Sequence, residues 1–497
     1  MKYFLGYDIG SSSVKATLLE GESGISRAAA FSPDQEMPIQ SPQPGWAEQD
    51  PDLWWEELVH ATQKLRQQVA FGAGDILAIG ISYQMHGLVC VDRKGQVLRP
   101  AIIWCDSRAV QLGNQAGEAL GKSFCQHHYL NAPGNFTASK LAWVKENEPA
   151  IFDRTEKILL PGDYIAMKMT GEMATTISGL SEGIFWDFQQ RSLATELMHY
   201  YGIGDQKLAK VLNSFSIQGQ LVKSAADILG ISQGVPVTYR AGDQPNNAWS
   251  LQVLNPGEVA AAAGTSGVIY GILDSPRFDD RSRVNAFVHV NDTPEDPRIG
   301  MLMCINGCGI LYSWLRKVTG GLSYEAMNGL AAKVGPGSGG LVCIPFGNGA
   351  ERILDNQEPG GGMVGLDLNR HGQAHLLRAA QEGIGFAFRH GLQIMKSTGM
   401  QASIIRAGHA NMFLSPVFRE IFVQVTGAAL ELYETDGATG AARAAGLGVG
   451  FYKNSKESFR GMRKLAVLEP DPRLADQYET AFQRWETVLL HMQEIPR

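Results

Sequence analysis

Short apolar runs recur along most of the chain, and small or polar residues interrupt them at close intervals. Tyr3–Ile9 is one β-prone run and Val14–Glu20 is another, with Gly10-Ser11-Ser12-Ser13 between them. That pattern predicts a β-hairpin with a small-residue turn. Residues 33–51 are rich in Pro and Gln and read as irregular. Asp50-Pro51-Asp52 then opens a predicted helix through Leu53-Trp54-Trp55-Glu56-Glu57-Leu58, with carboxylates in its first turn. Further strands are predicted at 76–82, running into Tyr83-Gln84-Met85-His86-Gly87; at 97–104, running into Cys105-Asp106; and at 235–240, running into Gly242-Asp243. Residues 136–147, 376–397 and 417–426 have a helical pattern, as does the tail after Asp471.

The second half repeats the opening theme. Val259–Ala263 leads into Gly264-Thr265-Ser266-Gly267 and then a second apolar run at 268–273. Ile9-Gly10-Ser11-Ser12-Ser13-Val14 and Ala263-Gly264-Thr265-Ser266-Gly267-Val268 are both strand, glycine, hydroxyl residues, strand. They stand about half the chain apart, which suggests duplication of one α/β lobe, each copy offering one small-residue hairpin.

Composition narrows the class. A chain of 497 residues accommodates two to four domains at ~100–200 residues each. With 44% hydrophobic and 19% charged residues it is globular rather than disordered. A net charge of −7 argues against nucleic acid or an anionic membrane as main partner. The six cysteines are sparse, and Cys304 and Cys308 lack a second ligand pair nearby, so reduced thiols are expected rather than zinc. No apolar run is long enough for a membrane span, and Asp8 interrupts the start too early for a signal peptide, so a cytoplasmic location is expected.

Several strand ends carry candidate chemistry. Asp8 precedes the first turn, where backbone N–H groups and hydroxyls can cradle phosphate oxygens and a carboxylate can hold hydrated Mg²⁺. Lys15 would add positive charge; a solvated Asp on an ordinary hairpin fits the same residues. Asp243 opens a helix, so it is either an N-cap or a general base, roles that do not exclude each other. Met85 and His86 end a strand where α/β proteins gather ligand groups, although a packed Met and a backbone-bonded His fit equally. Asp106-Ser107-Arg108 reads as an internal ion pair or a site-facing one.

Taken in order, Gly6-Tyr7-Asp8-Ile9-Gly10-Ser11-Ser12-Ser13-Val14-Lys15, Gln84-Met85-His86-Gly87, Trp104-Cys105-Asp106-Ser107-Arg108, Thr137-Ala138-Ser139-Lys140-Leu141-Ala142-Trp143, Gly242-Asp243-Gln244, Gly264-Thr265-Ser266-Gly267 and Gly408-His409-Ala410-Asn411 span nearly the whole chain. The set resembles the FGGY family of carbohydrate kinases, and within it the xylulokinase branch. The resemblance implies an α/β fold of two ribonuclease-H-like lobes, of the actin and hexokinase ATPase type, around a nucleotide and sugar cleft. It implies an N-terminal lobe over 1–248, sugar-binding, and a C-terminal lobe over 249–497 with the adenosine site. Gly10, Ser11, Ser12, Ser13 and Lys15 would line ATP phosphates from one lobe, and Gly264, Thr265, Ser266 and Gly267 from the other. Gly408, Ala410 and Asn411 would flank adenine and ribose. Asp8 would hold Mg²⁺, Asp243 would be the catalytic base and contact the sugar, and Met85 and His86 would touch the sugar. The implied reaction is ATP-dependent phosphorylation of D-xylulose to D-xylulose 5-phosphate. Another ketose or a polyol is the alternative substrate, and an actin-like or heat-shock-like ATPase acting on protein partners is the alternative class. The expected partner is a small-molecule sugar, with homodimerisation left open.

Overall fold

The structure, a computed structural model, describes residues 1–494. The chain forms two compact units. The first comprises Met1–Gln252, Phe287–Ile299 and Thr435–Met462; the second comprises Val253–Ala286, Gly300–Glu434 and the described residues from Arg463 onward. The expected boundary after residue 248 lies close to the first crossing between units, and two later segments return to the first unit.

In the first unit, β1 (Tyr3–Ile9), β2 (Val14–Glu20), β3 (Ser26–Ser32), β4 (Ile76–Tyr83), β5 (Phe215–Gln220) and β6 (Pro236–Gly242) form one sheet in the order β5-β6-β4-β1-β2-β3. β1, β2 and β3 form an antiparallel meander, whereas β4 pairs parallel with both β1 and β6. β4 and β6 are buried along nearly their whole length, as strands covered on both faces must be.

Most of a second, seven-stranded sheet belongs to the second unit. Its strands are β7 (Val259–Ala263), β8 (Gly267–Leu273), β9 (Asn285–Val288), β10 (Ile299–Ile305), β11 (Ile404–Gly408), β12 (Ala429–Tyr433) and β13 (Lys464–Leu468), in the order β9-β10-β8-β7-β11-β12-β13. Again an antiparallel hairpin, β7–β8, is followed by two parallel neighbours, β11 and β12. Both sheets therefore share a core in which an antiparallel hairpin adjoins two parallel strands, β2-β1-β4-β6 in one and β8-β7-β11-β12 in the other, the heart of the ribonuclease-H-like order that the resemblance implies.

Five helices position the candidate site: α1 (Thr137–Asn147), α2 (Ile177–Glu182), α3 (Asp243–Ser250), α4 (Gln373–Ser397) and α5 (Gly437–Gly448). α5 is built almost wholly of Gly and Ala and packs on the first unit's sheet. At Gly80 in β4 a Cβ would fall 2.0 Å from the Ala441 carbonyl oxygen, so only glycine permits that approach. The other predicted helices form at Pro51–Gln68, Pro416–Thr426 and Ala475–Glu494.

One predicted strand largely fails. Of residues 97–104, only Ala101–Ile102 form a strand, while Val97 makes a single bridge to Val91. Pro100 has no N–H and breaks the ladder between them. Among the described residues no helix is long and apolar enough to cross a membrane. Among the described residues no cysteine is in a disulfide, and Cys105 is exposed.

Candidate active site

Asp8 lies one residue from the end of β1, directly opposite Lys15 on β2. Its Oδ1 accepts a 2.8 Å hydrogen bond from Ser82 Oγ on the neighbouring β4. Burial raises its pKa and the nearby Asp436 adds to this, while the Lys15 charge and the Ser82 bond act in the opposite direction. The start of α5 arrives at the same carboxylate. A Cβ on Gly437 would stand 2.5 Å from Asp8 Oδ2. Asp436 caps that helix by accepting from the Thr439 amide at 2.8 Å, and the helix dipole favours negative charge at this end. The turn after β1 is closed by the Gly10 amide, which donates to Ser13 O at 3.0 Å. Gly10 thus contributes room rather than a donor. Ser12 is exposed, and Ser11 and Ser13 are half-buried.

Asp243 is the first residue of α3, not its cap; Gly242 occupies the cap position without a side-chain hydrogen bond. Burial pushes the Asp243 carboxyl up to about 7, the charge of Asp8 adds to this, and hydrogen bonds from Gln244 oppose it. A carboxylate poised near neutrality suits proton transfer from a hydroxyl. Behind it lies Glu182, at the end of α2, with 1% exposure. A Cβ on Gly242 would fall 2.4 Å from Glu182 Oε2 and 2.5 Å from Met85 Cγ. Burial holds the Glu182 carboxyl well above its ordinary range, and Asp243 and Asp163 push the same way. The Tyr83 hydroxyl and the His86 amide approach it as donors, but neither oxygen completes a hydrogen bond of normal geometry.

His86 follows β4 with φ 61°, in the left-handed region that a residue other than glycine seldom adopts. Its ring Nδ1 lies 2.9 Å from the Glu182 carbonyl oxygen, so the neutral ring donates there. The ring stands edge-on to Phe136, with centroids 4.9 Å apart, and tilted against Phe287 at 5.4 Å. Met85 beside it is buried and packs on Gly242. Asp106 and Arg108 resolve as an internal pair, Arg108 Nε lying 3.0 and 2.9 Å from the two Asp106 oxygens, with the guanidinium 3.8 Å over the Trp46 ring. That motif is scaffold. Trp104 before it is half exposed, and its indole N–H reaches Ser11 Oγ at 3.4 Å.

In the second unit the turn at 264–267 is held from below by backbone. The Gly309 amide donates to Gly264 O at 2.9 Å, and Ile310 N–H to Thr265 O at 3.2 Å. At Gly267 a Cβ would meet the Phe388 ring of α4 at 2.7 Å. A Cβ on Gly264 would lie 3.4 Å from Asn411 Nδ2, so the turn and the segment after β11 adjoin. Gly408 ends β11. Ala410 and Asn411 are exposed, and Asn411 is left-handed at φ 53°.

Two family models match almost end to end. The N-terminal domain of the FGGY family of carbohydrate kinases matches residues 3–248, and the C-terminal domain of that family matches 259–449. The chain belongs to this family. It is therefore a sugar kinase, and membership implies ATP as phosphoryl donor. It is 29% identical over 448 residues to the xylulose kinase of Escherichia coli (strain K12), covering 89% of each chain. It is 29% identical over 490 residues to that of Klebsiella pneumoniae, covering 96% of each. The solved xylulose kinase from Rhodospirillum rubrum superposes with a TM-score of 0.87 at 25% identity, covering 99% of both chains.

The first unit of this kinase brings together Asp8, the 10–13 turn, Lys15, Met85, His86 and Asp243. The second brings together the 264–267 turn with Gly408, Ala410 and Asn411. Sequence reasoning passed over Glu182, Asp436 and Gly437. None belongs to a periodic pattern, and Gly437 lies more than 400 residues from the Asp8 carboxylate it touches.

Proposed function

We propose that this kinase transfers the γ-phosphoryl group of ATP to the 5-hydroxyl of D-xylulose. The observation that carries the reading is Asp243: a half-buried carboxyl at the start of α3, poised near neutrality, in the same unit as His86 and Met85. The names of the similar kinases, in Escherichia coli and Klebsiella pneumoniae among others, support the sugar.

In this reading Met85 and His86 flank the sugar, and Asp243 accepts a hydrogen bond from its 5-hydroxyl. As the hydroxyl oxygen forms its bond to the γ-phosphorus, the bond from that phosphorus to the β,γ-bridging oxygen breaks. The hydroxyl proton passes to Asp243, and ADP leaves. Because the transition state of phosphoryl transfer is loose, orienting the hydroxyl matters more than early proton removal. Ser11, Ser12, Ser13 and Lys15 serve the phosphates from the first turn, with Gly10 giving room. Gly264, Thr265, Ser266 and Gly267 serve them from the second, while Gly408, Ala410 and Asn411 flank the nucleoside.

Asp8 would hold Mg²⁺ through water. The donor set fits: the charge of Asp436 raises the pKa of Asp8 and that of Asp8 raises the pKa of Asp243, a clustering of negative charge that a divalent cation relieves. Among the described residues no group of three or more His, Cys, Asp or Glu side chains forms a metal cage; Mg²⁺ ordinarily keeps several waters and takes one or two carboxylates plus phosphates. When bound, the ion neutralises charge on the transferred phosphoryl group.

ADP release measured over a panel of ketoses, aldoses and polyols tests the reading. D-xylulose should give the highest kcat/KM. Preference for glycerol or another sugar would refute the substrate, and ATP hydrolysis unaffected by every sugar would refute the kinase mechanism.

A further inference from the structure

Lys140 is wholly buried on α1, and among the described residues it forms no ion pair within 4.0 Å. Lysine is rarely buried without a carboxylate partner, because desolvating an ammonium is costly. Its Nζ instead donates to two backbone carbonyls, His86 O at 2.8 Å and Ile103 O at 3.0 Å. Burial draws the amine down to about 7, against the opposing charge of Asp106. A buried methionine would fill this space without that cost, so the donors themselves must matter.

What they hold is a strained turn. His86 has its left-handed φ between the buried β4 and Gly87. Three contacts converge on it: Lys140 on its carbonyl, the Glu182 carbonyl on its ring nitrogen, and the Phe136 ring against its imidazole. Phe136 caps α1, and Thr137 Oγ1, the first side chain of that helix, is 3.5 Å from Gly87 O. The start of α1 thus organises residues 86–87, and Lys140 reaches them from one turn further along.

We propose that Lys140 is a positioning residue for sugar recognition, fixing the His86 carbonyl so that the imidazole is presented to the sugar. This rests on the reading that His86 contacts the substrate.

The test compares Lys140→Met, His86→Ala and the double variant in the full chain, with steady-state kinetics for D-xylulose and ATP. Lys140→Met should raise KM for D-xylulose ~10-fold and leave KM for ATP unchanged. The double variant should be no worse than His86→Ala alone, because both changes act through one group. A Lys140→Met protein with lowered Tm but wild-type KM for D-xylulose overturns the proposal while His86→Ala remains impaired. Full additivity of the two changes overturns it also. Unchanged sugar kinetics in His86→Ala would instead remove the sugar-side assignment of His86, and this proposal with it. Should Lys140→Met not fold, Lys140→Arg, which keeps the charge but moves the donors, is read by the same criteria.

Discussion

The turns at 10–13 and 264–267 follow strands of equal rank in two sheets that share a four-strand core order, yet their surroundings differ in charge. Before the first turn stands Asp8; at the matching place before the second stands Ala262. After the first turn comes Lys15, exposed; after the second comes Ile269, fully buried. Ser13 is matched by Gly267, where the Phe388 ring leaves no room for a side chain. The shared features, a glycine and hydroxyl residues between antiparallel strands, are what the fold and a phosphate-sized ligand require. The unshared ones are the acid–base groups, and all of them lie in the first unit with Asp243, Glu182 and Asp436. On the proposed reading, the first unit carries the acid–base groups together with one phosphate turn, and the second carries the other phosphate turn and the nucleoside site.

If that division is right, damage to the first unit should stop turnover and damage to the second should weaken nucleotide. The largest effect is expected at Asp243: Asp243→Ala should lower kcat by ~10²–10⁴ in an ADP-release assay, the usual span for a general base. Next comes His86→Ala, which should cost ~10–100-fold in kcat/KM for D-xylulose with ATP affinity preserved, since an unpaired buried polar partner costs ~1–3 kcal/mol. On the other side, Gly264→Val should weaken ATP by ~10-fold by calorimetry, about 1.4 kcal/mol, while sugar binding persists. Equal losses of both ligands in that variant would dissolve the distinction between the units.

The smallest effect is on pH dependence. Asp243 titrates at about 7 in the folded protein against an ordinary 3.8. Between those values the folded state holds a proton that the unfolded chain has released, so stability falls as pH rises from about 4 through about 7 and then levels. Activity should run the other way, kcat/KM rising through about pH 7 as the base ionises. Asp243→Asn should flatten the stability slope in thermal scans across that window, and an unaltered slope would show that another group is responsible.

The hairpins, Asp8, His86 and Asp243 were legible in the sequence because each is local: a strand, a small turn, and a polar residue at the strand end. Their neighbours were not. Glu182 ends a six-residue helix with no apolar period, and only the fold puts it beneath Gly242. Lys140 lay within a quoted motif, but its burial follows from the packing of α1 on the turn at His86. The two segments returning to the first unit were equally hidden: α5 reads as a generic Ala/Gly helix until β4 offers it Gly80. The strand expected at 97–104 was lost to Pro100, whose effect on a ladder outweighs the apolar pattern around it.

In the proposed reading Asp243 serves proton transfer and takes no part in holding ATP, and ATP binding to Asp243→Ala, measured by calorimetry on the full chain, tests this most directly. The account predicts a Kd for ATP indistinguishable from wild type in a folded protein whose turnover has collapsed. A loss of ATP affinity in proportion to the loss of turnover would contradict it.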